Sequence, residues 1–190
     1  MVPGTVLVAS PYRDGDYAVL DEATERFGLA KWTAVSTLCG LLGAESLEVK
    51  VLQEENSHAR REITGGGGRG PISVKATGKS TALDKFEGQM SLVDKFPGGP
   101  ADIPAARHFL ESCGLEGDPE VRSLVEARAH ASNPLSRRTV TVDVSRESAR
   151  TIDAALSVAV PALLNLSATF DQAKEDQARL KVTFDVVFSS

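Results

Sequence analysis

Five glycines in six residues, Gly65-Gly66-Gly67-Gly68-Arg69-Gly70, interrupt this chain and constrain everything around them. Glycine visits both signs of φ and loses the most backbone freedom on ordering, so such a run is a loop and not the interior of a helix or strand. What flanks it reads as extended. Leu47, Val49 and Val51 alternate with Glu48, Lys50 and Leu52, Ile72, Val74 and Ala76 alternate with Ser73, Lys75 and Thr77, and Phe86, Gly88, Met90 and Leu92 continue the period of two. The glycines are therefore expected to close a long hairpin, residues 46–93, that projects from a compact body. Its stretch 53–62 is almost wholly polar and is expected to add little core, as a solvated ribbon or a segment that orders on contact.

The body reads as helices and strands in clusters. Residues 5–9 form a short apolar strand, and Asp14-Gly15-Asp16 a turn. Two helices are expected next: one over 17–27 stopped by Gly28, and one over 30–42, with Trp32, Val35, Leu38, Cys39 and Leu42 on one face, stopped by Gly43. Pro97-Gly98-Gly99-Pro100 breaks both kinds of regular structure and marks an internal boundary. A helix through Ile103, Ala106, Phe109, Leu110 and Cys113 follows. Asp118 caps the next one, with Pro119 at its first position and Glu120 in its first turn. Val140, Val142 and Val144 mark a strand, and Ser145 opens a further helix that ends at Pro161. Alternation over 164–170 and again over 180–188 predicts a closing hairpin with one apolar face.

Strands cluster and helices pair without a regular βαβα succession. The prediction is a single α+β domain over residues 1–190, with a largely antiparallel sheet, two helical pairs and the projecting glycine-tipped hairpin.

Composition narrows the function classes. With 42% hydrophobic residues the chain can bury a core of its own. A net charge of −5 argues against a general nucleic-acid binder, because phosphate neutralisation needs clustered Lys and Arg. The opening Met1-Val2-Pro3-Gly4 lacks the basic and apolar regions of a secretory signal. Residues 154–168, the longest apolar stretch, fall short of the about 20 residues a spanning helix requires. Cys39 and Cys113 lie far apart in helical patterns and read as free thiols in a reducing compartment, so a cytoplasmic location is expected.

No motif carries chemistry through to a site. Gly65-x-Gly67-x-x-Gly70 spells the dinucleotide fingerprint, but a strand and not a helix leaves it, so no helix N-terminus receives the pyrophosphate. Gly78-Lys79-Ser80 matches the end of a phosphate-binding loop, whose earlier glycine is here Ser73. His58, His108 and His130 have no metal-ligand spacing with one another or with either cysteine. The expectation is no cofactor, no metal and no catalytic residue identifiable from spacing.

The hairpin is the one functional suggestion. A polar, glycine-tipped arm that adds little to a core is suited to contact. The chain is expected to act by association, as a subunit of a larger assembly or a homo-oligomer. The expected contact residues are Glu54, Glu55, Arg60, Arg61, Arg69, Lys75 and Lys79. The alternatives are an enzyme assembled from His108, His130 and a cysteine, and a membrane-active hairpin. The last is disfavoured because 53–62 carries charge on both faces of any strand.

Overall fold

A computed structural model describes residues 6–65, 71–130, 132, 134–159 and 179–189. The fold is α+β, and every strand pair among the described residues is antiparallel. Strands β1 (Leu7–Ala9) and β2 (Tyr17–Val19) make a two-stranded ribbon ahead of the long helix α1 (Leu20–Leu41). Then come β3 (Ala44–Glu54), β4 (Ala59–Thr64), β5 (Ser73–Thr77), α2 (Thr81–Gln89) and β6 (Val93–Lys95). Helices α3 (Ile103–Ser112) and α4 (Pro119–Arg128), strand β7 (Arg137–Asp143), helix α5 (Arg146–Ala159) and strand β8 (Leu180–Phe188) complete the order.

The main sheet runs β5-β4-β3-β8-β7, with β6 hydrogen-bonded to the first part of β3. Helices cover one face. Leu180, Val182, Phe184, Val186 and Phe188 of β8 are buried beneath them, flanked by Val140 and Val142 of β7 and by Leu47, Val49 and Leu52 of β3. Trp32 of α1 packs edge-on against Phe184, with ring centroids 5.3 Å apart. Among the described residues no helix packs on the other face, which carries Lys181, Thr183 and Asp185 of β8 beside Val187.

Three local readings change. Gly28 does not stop a helix: α1 runs through it, and a Cβ there would stand 3.3 Å from the Phe86 ring and 3.6 Å from Val144. That glycine permits close packing of α1 on α2, and the break falls at Gly43, whose φ is +77°. Residues 17–19 belong to β2 and not to the helix. The segment around Phe86 is helical and not extended. Ser80 Oγ accepts from the Leu83 N–H at 2.9 Å, and Leu83, Phe86 and Met90 are buried at helical spacing. Phe86 and Met90 satisfy both a period of two and a period of four, which made the segment look like a strand.

The expected alternation in β3 is shifted rather than kept. A register irregularity between Val49 and Val51 turns Val51 to the open face and puts Leu52 in the core. Of the predicted closing hairpin, 180–188 is a strand whose two edges are taken by β3 and β7, and 164–170 lies outside the described residues. The cap of α4 is as predicted, and α3 starts at a cap that was not, Asp102, whose Oδ1 accepts from Ala105 N–H at 3.0 Å. Asp118 Oδ1 accepts from Glu120 and Val121 N–H at 3.0 and 3.2 Å.

Candidate contact surface

The glycine run lies between β4 and β5, which pair from Arg60↔Thr77 to Thr64↔Ser73. The hairpin is thus shorter than 46–93, and β3, β4 and β5 form an antiparallel meander. Its polar half is not free of the body. Ala59, Arg61 and Ile63 are buried, whereas Arg60, Glu62 and Thr64 are exposed. Arg61 is held by ion pairs to Asp84 and, at 3.5 Å, to Glu87 of α2. Its Nη1 also donates to the Thr77 and Gly78 carbonyls at 3.3 and 3.4 Å. Burying a guanidinium requires such compensation, and here it fastens β4 to both the end of β5 and α2.

The expected contact residues therefore separate. Glu54 is buried and accepts from Ser57 Oγ at 2.5 Å. Arg61 is buried as described. Glu55 is tied to Lys181 of β8, and its N–H donates to the Arg179 carbonyl at 3.0 Å. Arg60, Lys75 and Lys79 are exposed, Arg60 beside Glu62 at 3.2 Å. Arg69 lies outside the described residues.

The open face of the sheet is charged but largely satisfied within itself. Arg137 pairs with Asp185 at 2.8 Å, Thr139 donates to Asp185 at 2.5 Å, and Glu48 is bonded to Lys50 and Lys95 at 3.0 and 3.5 Å. Burial would raise the Asp185 pKa, but the bonds from Thr139 and Arg137 outweigh it and hold the carboxyl below its ordinary value. Glu48 is lowered too, chiefly by the Lys50 bond.

Apolar exposure is concentrated elsewhere. Among the described residues the large exposed hydrophobic side chains are Leu7 (42%), Tyr17 (55%), Ile72 (44%) and Val74 (38%). The first two lie on the outer side of the β1–β2 ribbon. Ile72 and Val74 lie at the margin of the main sheet, where β5 is the terminal strand among the described residues and is exposed at all five positions. An edge strand presents unpaired backbone N–H and C=O groups, and apolar side chains beside them favour a further strand.

The histidines are dispersed. His58 occupies the β3–β4 turn with φ +54°, and His108 is exposed on α3. His130 follows α4 and lines two shallow clefts of about 440 and 420 Å³ that contain neither His108 nor a cysteine. Cys39 is fully buried, and burial, aided by the Asp94 charge, pushes its thiol up to about 12. Cys113 is half-buried at the end of α3. Among the described residues no three His, Cys, Asp or Glu side chains gather to hold a metal ion, and no helix is long and apolar enough to cross a membrane.

The group that sequence reading passed over is Lys31. It is fully buried, and its ammonium donates to Glu147 Oε2 at 2.6 Å and the Asp143 carbonyl at 2.8 Å and forms an ion pair with Asp118 Oδ2 at 2.7 Å. Tyr12 donates to the same Glu147 oxygen at 3.1 Å, and burial first, then the Glu147 charge, raises the phenol far above its ordinary pKa. Through these contacts and Tyr12 the cluster ties α1 to the β1–β2 loop, the head of α4 and the start of α5. The signal was there to find, since Lys31 stands four residues from both Phe27 and Val35 on the apolar stripe of α1. Compared with protein-family models, curated proteins and solved structures, the chain matches none.

Proposed function

We propose that this chain acts by association, as a subunit of a larger assembly or a homo-oligomer, and that the β4–β5 hairpin supplies the contact. The observation that carries this reading is the outer edge of β5, exposed along its whole length with Ile72 and Val74 beside it. Main-chain groups along such an edge provide affinity, and the alternate side chains provide selectivity. Positive charge at the edge is sparse, since Lys75 is the one charged residue of β5 and Arg60 on β4 is paired with Glu62 at 3.2 Å. The Arg61 anchor supports the reading as well, because it holds β4 against α2 so that the edge is presented on a fixed base.

The test compares the native mass of the chain, both purified and in extract of the cells that make it, with that of a variant carrying Ile72→Lys and Val74→Lys. A mass well above 20.1 kDa that the variant loses, with unchanged circular dichroism, is the expected result. A monomer in both settings, or a heavier species indifferent to the substitutions, overturns the reading.

A further inference from the structure

The exposed edge of β5 also constrains what pairs with it. Resting on the association reading above and narrowing it to one partner, we propose that a second copy of this chain pairs with β5, antiparallel, about a two-fold axis through Val74. A two-fold axis normal to the sheet keeps the helical layers of both copies on the same side and must pass through a residue, since directly opposed side chains share a face. That leaves few registers to weigh.

With the axis at Val74, Val74 meets the partner's Val74, and Ile72 lies opposite the partner's Ala76. These three share the helix-side face, because Val74 pairs with Ile63 and Ala76 with Arg61, both buried. An apolar row thus continues across the join. On the open face Lys75 lies opposite the partner's Ser73. An axis at Lys75 would instead set two ammonium groups directly against each other, which is destabilising. An axis at Ser73 would bring Pro71, which has no N–H, into the ladder opposite Lys75.

The other end of the sheet is a poorer partner. The β7 strand carries Arg137, Arg138 and Asp143, and Arg138 is already bonded to Ser123 and Glu120 of α4 at 2.9 and 3.3 Å. Docking β5 on β7 would add Lys75 to that positive end and would generate an open-ended array. Charge along a strand is a common means of protecting an edge, and β5 has a single charged residue among its five.

A pair of five-residue strands buries less than the about 1,600 Å² of a standard interface, so the dimer is expected to be concentration-dependent. Sedimentation of the purified chain should be followed up to about 1 mM, where an association of about 4 kcal/mol is half-populated. The expected mass rises towards twice 20.1 kDa, and Val74→Lys, which places like charges on the axis, abolishes the rise. Register is read by oxidation in a Cys113→Ser background. Val74→Cys should give a disulfide-linked dimer, since opposed positions bring Cβ atoms to about 5 Å, whereas Lys75→Cys should not, its thiols standing two positions out of line. A monomer throughout, a dimer indifferent to Val74→Lys, or crosslinking at position 75 and not at 74 overturns the proposal. A purified monomer whose heavier mass in extract still depends on Ile72 and Val74 overturns self-pairing alone and leaves association standing.

Discussion

Lys31 is the residue on which most distant parts of the chain converge. Its ammonium is shared by Asp118, Glu147 and the Asp143 carbonyl, three partners drawn from beyond residue 110. Removing one member of a buried ionic group leaves the others charged in a medium that solvates them poorly. Lys31→Met is therefore expected to lower stability by about 3–5 kcal/mol, measured by urea denaturation. Pairing Lys31→Met with Glu147→Gln should restore part of the loss, because one orphaned carboxylate is then gone; no restoration would show that the cluster acts by packing alone. Arg61 is a buried charge as well, but its partners Asp84 and Glu87 reach solvent, so its removal strands no buried carboxylate. A single sequence presents such a residue as one more charge, and only its partners show that it is interior.

At the scale of elements, the open face of the sheet is where pH acts. Asp185 and Glu48 both have folded-state pKa values below their ordinary ones. A carboxylate depressed in this way binds protons less readily folded than unfolded, so its contribution is complete above the unfolded value of about 4. That contribution is lost as pH falls through the lower folded value. Asp185→Asn should be destabilised at neutral pH and should lose less stability than the parent on acidification to about pH 3, as read from urea midpoints. Equal acid sensitivity of variant and parent would remove Asp185 from this role. The helices show what local sequence conveys well: Asp118, Pro119 and Glu120 are sufficient to start α4, and Gly43 to end α1. They also show where it fails, since the packing of Gly28 against Phe86 is a contact across 58 positions.

The whole molecule is organised around β8, which joins β3 on one edge and β7 on the other. Phe184 sits at its middle, fully buried and in edge contact with Trp32 of α1. Phe184→Ala is expected to cost about 3–5 kcal/mol and to alter the emission of Trp32, the only tryptophan. Unchanged emission in a folded variant would mean that α1 does not depend on this contact. Alternation, caps and turn residues act over a few positions, so the chain's order of amino acids was enough to establish the α+β class, strands through 47–52, 139–143 and 180–188, and the start of α4. Strand order, the continuation of α1 through Gly28, the register shift in β3 and the burial of Lys31 and Arg61 were decided in three dimensions. Each depends on a surface supplied by chain far away in sequence, and no local pattern records which face that surface will cover.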